Sequence, residues 1–287
     1  MIFDNKVLAC VDQSRFADDV TDYAAWAAQR MDAPLELLHV IDRHLEQGSG
    51  KDHSGAIGFD AQEHLLVELS EADKALTLTA REQGRVFLNR LRQRALTTGA
   101  QVVDVRQRHG ELEDTIAEQE SGVRLLVLGR RGESAQTTQR DLGRNVERIV
   151  RTVHQPILAV TERFKAPERV LFAFDGSALT RRGVEMVAGS PLLVGLPMHV
   201  LMCGAQSKEA AKQLDWAQAT LEKVGFVVQV ALQPGDPERV IANAVHTRGI
   251  DLLIMGAYSH SPLRKLLMGS KTADLLRSAK VPTLLLR

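Results

Sequence analysis

Short apolar runs along the chain close on the same polar residues twice over. Val7-Leu8-Ala9-Cys10-Val11 ends in Asp12-Gln13-Ser14, and Val170-Leu171-Phe172-Ala173-Phe174 ends in Asp175-Gly176-Ser177. Each run is too short for a helix and lacks polar alternation, which suits a strand covered on both faces. Asp and Ser then supply turn and N-cap chemistry, and an Ala-rich segment follows from Tyr23 to Gln29. Arg124-Leu125-Leu126-Val127-Leu128-Gly129 matches Asp251-Leu252-Leu253-Ile254-Met255-Gly256 in the same way. A helical stretch precedes each, opened by Gly110-Glu111 or by Gly235-Asp236-Pro237, where a proline at the first helical turn loses no hydrogen bond. His154-Gln155-Pro156 and Lys280-Val281-Pro282 each lead into a last apolar run.

One α/β unit is therefore written twice, over residues 1–161 and 168–287, with Thr161–Pro167 as a short linker. Asp12 and Asp175 are 163 positions apart, but Gly129 and Gly256 only 127, so the first copy carries 36 extra residues between its second and third strands. That insertion, about 42–80, starts as a polar loop with Gly48, Gly50, Gly55 and Gly58. From about Ala61 to Leu96 the apolar spacing turns helical. Each copy reads β-α-β-α-β-α-β-α-β. This predicts two doubly wound, open parallel five-stranded sheets of Rossmann-like type, because parallel neighbours need crossover helices.

Composition narrows the function. Lys plus Arg and Asp plus Glu are both 36, which argues against a nucleic-acid binder driven by a global positive field. Cys10 and Cys203 sit in strand-like runs and give no disulfide framework. The N-terminus has no signal-peptide layout and no apolar run approaches a membrane span, so the expectation is a cytoplasmic protein with no membrane partner.

In an open parallel sheet, ligands bind beyond the carboxyl ends of the strands where strand order reverses. Two loops per copy reach that edge, one with Asp12 or Asp175, the other starting at Gly129 or Gly256. The latter loop in the second copy runs from Gly256 through Ser259 to Gly269-Ser270-Lys271 and then continues as a helix. Glycine lets the backbone approach an anion, and a helix N-terminus favours negative charge. It is not a Walker A loop, since the lysine after a glycine and the glycine five residues earlier are missing.

The pattern Gly-x2-Gly-x9-Gly-Ser after a strand, with Ser259 in place of the second glycine, Asp after the first strand and a proline-led last strand, resembles the universal stress protein family, as a tandem two-domain member. The resemblance implies ATP or a related adenine nucleotide, possibly with Mg. Asp175 would face the adenosine end, and Gly256, Ser259, Gly269 and Ser270 the phosphates, with Phe174 and Met255 flanking. Cys203 would line the adenine pocket, and Lys271 would face either a phosphate or solvent. It also implies an internal pseudo-dimer through Ile157–Val160 and Thr283–Leu286, and a homodimer of chains.

The first copy departs from the pattern. Asp12, Gly129, Gly132 and Gly143 form its counterpart pocket, but the loop is Gly129-Arg130-Arg131-Gly132 and Arg144 stands where Ser or Thr is expected. Either Arg130 and Arg131 serve an anion differently, or the pocket is degenerate, which the bulk at Arg144 favours. Asp12 and Asp175 also fit plain turn chemistry. His39, His44, His53 and Asp52 lack the spacing of a zinc site, and Ser14 and Ser177 stand in no nucleophile elbow. No acid–base pair emerges, so binding and signalling outrank catalysis, with slow ATP hydrolysis left open. The alternative is a scaffold or dimerisation protein with vestigial pockets or another small ligand.

Overall fold

The computed structural model describes residues 4–41, 59–131, 144–257 and 279–287, with the backbone alone at 59–77, 144, 145 and 147. In the first half, strands β1 (Lys6–Cys10), β2 (Leu35–Ile41), β3 (Val103–His109), β4 (Val123–Gly129) and β5 (Ile157–Val160) alternate with helices. Those helices are α1 (Ala17–Met31), α2 (Phe59–Thr98), α3 (Leu112–Ala117) and α4 (Arg144–Thr152). The second half has β6 (Val170–Ala173), α5 (Ala178–Ala188), β7 (Met198–Cys203), α6 (Lys208–Glu222) and β8 (Val228–Gln233). It continues with α7 (Pro237–Thr247), β9 (Leu252–Gly256) and β10 (Thr283–Leu286).

The strands form one sheet in the order β3-β2-β1-β4-β5-β10-β9-β6-β7-β8. Each half repeats one winding, and the order reverses between β1 and β4 and again between β6 and β9. Every pairing is parallel except β5 with β10, where Thr283 faces Ala159 and Leu285 faces Ile157. The two expected five-stranded sheets are thus present but fused into a ten-stranded one. The last strands supply their free edges to each other, which removes two unpaired edges from solvent.

Strand residues point alternately to two apolar layers. Val7, Ala9, Phe172 and Ile254 pack with α1, α5, α6 and the carboxyl part of α2; Leu8, Leu171 and Leu253 pack with α3, α4 and α7. Local chemistry starts the helices as expected: Ser177 Oγ accepts from the Thr180 N–H, and Asp236 accepts from the N–H groups of Glu238 and Arg239 beside Pro237. The insertion is chiefly a longer helix, since α2 has 40 residues and its counterpart α6 has 15. Residues 42–58, expected as its loop, lie outside the described residues.

At the amino end of the first half a charge cluster is buried. Lys6 Nζ donates to Glu36 Oε2 (2.9 Å) and Gln119 Oε1 (3.0 Å), and Arg106 approaches Glu36 Oε2 at 3.3 Å. The linker is fastened along its length. Phe164 N donates to Asp19, its ring meets Tyr23 edge-on, and Asp251 accepts from Glu168 N, Arg169 N and Lys165 Nζ.

Candidate functional site

The two reversal points place Asp12 and Gly129, and Asp175 and Gly256, at the carboxyl edge of the sheet. In the second half β6 lies between β7 and β9, with Ala173 opposite both Leu201 and Met255. Continuing two residues along β6 and β7 puts Asp175 level with Cys203, and one residue along β9 reaches Gly256. Asp175, Cys203 and Gly256 are therefore brought to one edge across three adjacent strands.

Asp175 is exposed there. Its Oδ1 accepts from Ser177 N (3.0 Å) and Thr180 Oγ1 (2.7 Å), so turn chemistry holds the carboxylate in place. Gly176 follows in the left-handed region at φ +73°, and the Gln213 amide of α6 lies over the spot a side chain there would fill. At Gly256 an added Cβ would stand 3.0 Å from Leu179 Cδ2 and 3.5 Å from Thr180 Cγ2, so glycine lets the first turn of α5 close against the end of β9. Cys203 is half-buried, and burial, with Asp236 nearby, pushes its thiol up, away from the reactive thiolate. Phe174 and Met255 are 2% and 5% exposed. Their side chains belong to the two core layers, so what they offer at this edge is main chain.

Ser259, Gly269, Ser270 and Lys271 lie outside the described residues, as do Gly132 and Gly143 in the first half. Thr180, Leu179 and Gln213 were not singled out from the sequence. Thr180 carries a signal in retrospect: it is the helix-start hydroxyl that reaches Asp175, and its counterpart after Asp12 is Ala17.

The first-half edge is built differently. Asp12 is half-buried, and its Oδ1 accepts from both the N–H and the hydroxyl of Ser14. Gly129 again permits a close approach, with an added Cβ 3.2 Å from Val20 Cγ2. Of the two alternatives for Arg130, anion service and a degenerate pocket, its geometry fits the second. Its guanidinium crosses to the other half and donates to the carbonyls of Ala279 and Val281 and to the Thr283 hydroxyl (3.0 Å). It is 9% exposed, and burial pulls its pKa down to about 10, which leaves it a cation at neutral pH. Arg131 stands 3.7 Å from Glu162. The crossing is reciprocated: Arg287 Nη1 donates to the carbonyls of Val150 (2.7 Å) and Val153 (3.0 Å) at the end of α4. Val153 and Ala279 are equivalent positions before the last strands, so each half caps the same carbonyl of the other.

His39 of the rejected metal set points elsewhere, its Nδ1 3.0 Å from the Val11 carbonyl and its ring edge-on to Phe87. Among the described residues no three His, Cys, Asp or Glu gather as a metal site, and no helix is long and apolar enough to cross a membrane. A cavity of about 480 Å³ lies between α7 and the start of β9, lined by Ile241, Val245, Leu253 and Val281. It lies beside the amino end of β9, away from Gly256 at the carboxyl end of that strand. The edge where strand order reverses is the better ligand site.

A doubled open parallel sheet with an Asp and a glycine at the strand ends of each reversal defines a class of doubly wound α/β proteins. Comparison with known proteins gives the family. The Universal stress protein family model matches residues 5–161 and 196–287, and the chain belongs to that family. It is 34% identical over 285 residues to the universal stress protein Slr1230 of Synechocystis, covering 98% of this chain and 99% of that one. Among solved structures it resembles a universal stress protein from Archaeoglobus fulgidus, with TM-score 0.70, 18% identity, and 98% and 97% of the two chains covered. It also resembles the functionally unknown protein PA1789 of Pseudomonas aeruginosa, with TM-score 0.62, 17% identity, and 98% and 92% covered.

Proposed function

We propose that this universal stress protein binds ATP or a related adenine nucleotide at the carboxyl edge of its second half, in a signalling role. The observation that carries this reading is the contrast between the two edges. Asp175 stands exposed beside Cys203 and Gly256, at the start of a loop whose sequence carries Ser259, Gly269, Ser270 and Lys271. The corresponding first-half loop spends Arg130 on the junction. In the bound state Asp175 accepts from the sugar hydroxyls, while the glycine loop and the Ser270 hydroxyl donate to phosphate oxygens. Magnesium, in this reading, arrives with the triphosphate. In this reading the nucleotide is retained for signalling, and slow hydrolysis stays open.

The junction arginine favours a second role, for the first half alone: a scaffold that holds the binding half in one unit. A homodimer of chains remains part of this proposal, through a surface other than β5 and β10, which already pair with each other. Protein purified without added nucleotide, then denatured, should release one adenine nucleotide per chain on mass spectrometry. Release of a different stoichiometric small molecule would replace the adenine reading.

A further inference from the structure

The ten-stranded sheet ends in two outer strands, β3 and β8, and their free edges are built differently. At β3, Leu35 N donates to the Val102 carbonyl and Gly110 N to the Ile41 carbonyl. The odd-numbered residues Val103, Val105, Gln107 and His109 therefore turn their main-chain groups outward. That edge is blocked from within. Arg92 Nε donates to the Val103 carbonyl (3.1 Å), and Asp104 Oδ1 accepts from Val105 N (2.9 Å). The strand also carries Asp104, Arg106 and Arg108, and charge on an edge strand discourages pairing.

The β8 edge has no such cover among the described residues. Met198 N donates to the Val227 carbonyl and Gly204 N to the Gln233 carbonyl, so the odd-numbered residues of β8 face β7. Val228, Val230 and Leu232 turn N–H and C=O outward, and no described group bonds them there. The strand reads Val-Gln-Val-Ala-Leu-Gln, without a charge, and Val227 beside it is 71% exposed. The bare stretch is closed at both ends, because Phe226 N is bonded to the Leu221 carbonyl and Pro234 has no N–H.

We propose that a second copy of the chain pairs here, β8 to β8 and antiparallel, about a two-fold axis at Val230. Self-complementarity singles out the second copy. An antiparallel neighbour must set outward-facing residues against outward-facing residues. Only the register centred on Val230 uses all three: Val228 meets the partner's Leu232, and Val230 meets the partner's Val230. Gln229 then lies opposite the partner's Ala231. About six main-chain hydrogen bonds form, and the apolar layer of Val228, Val230 and Leu232 continues across the axis. This names the surface for the chain dimer proposed above, and it does not depend on nucleotide binding.

Sedimentation velocity of the full chain should show a concentration-dependent dimer. Val230→Pro deletes an outward N–H and none that bonds β7, and should weaken the dimer at least about tenfold. Gln229→Lys/Ala231→Lys and Gln229→Glu/Ala231→Glu should each sediment as monomers, since like charges then stand opposite each other across the axis. Mixing these two variants should restore a dimer, a gain that misfolding cannot produce. A dimer indifferent to all three variants would overturn the proposal while leaving the chain dimer itself; a monomeric wild-type chain would overturn both. A monomer that binds a labelled peptide of alternating threonine and valine would make an extended partner strand the occupant, and would overturn it too.

Discussion

Arg130→Ala is expected to destabilise the protein by about 3 kcal/mol, because it strips buried acceptors of their donors at roughly 1–3 kcal/mol each with partial relaxation. The acceptors are the Ala279 and Val281 carbonyls and the Thr283 hydroxyl, all in the approach to β10. The loss falls on the junction, since the side chain belongs to the first half and its partners to the second. The chain has two tryptophans, Trp26 in α1 and Trp216 in α6, one reporter for each half. Urea unfolding of Arg130→Ala in Trp26→Phe and Trp216→Phe backgrounds should show two midpoints drawn apart. Arg130→Lys should recover less than half the loss, because an ammonium cannot reach three acceptors in the fixed fork of a guanidinium. Midpoints that stay at the wild-type value in both backgrounds would mean the crossing contributes nothing.

Lys6→Met is the second large effect. Glu36 is fully buried and Lys6 is 2% exposed, so removing the ammonium leaves a carboxylate in the core with, among the described residues, only Arg106, at 3.3 Å, to balance it. Breaking a buried pair typically costs about 3–5 kcal/mol. The remaining Arg106 keeps the expected loss near 3 kcal/mol. The double variant Lys6→Met/Glu36→Leu should recover most of it, since an apolar pair of similar volume has no charge to desolvate. Equal losses in the single and double variants, read by chemical denaturation, would show that packing rather than charge holds this end of the sheet.

The strands and the helix order were legible in the sequence because they rest on local signals: apolar runs, turn aspartates, prolines and a doubled pattern; the pairing of the last strands was implied only by the family resemblance. The helix expected over 61–96 came out as Phe59–Thr98 for the same reason. What the sequence did not disclose depends on side-chain direction over long separations. Arg130, beside Gly129 and Gly132, fits either anion service or a degenerate pocket, and only the fold shows its guanidinium reaching Thr283, 153 positions away. Likewise Phe174 and Met255 sit at the predicted edge by position, but strand alternation turns their side chains into the core. Asp175 was legible as a candidate, while Thr180, which fixes its carboxylate, needs the geometry of the first turn of α5.

Isothermal titration of ATP into nucleotide-stripped chain tests the central claim most directly. One site per chain is predicted, lost in Gly269→Val, where a branched side chain would enter the phosphate loop, and kept in Gly143→Val of the first half. Binding that survives Gly269→Val but disappears in Gly143→Val would move the site to the first half. No heat of binding in the stripped, folded protein would contradict the nucleotide reading outright.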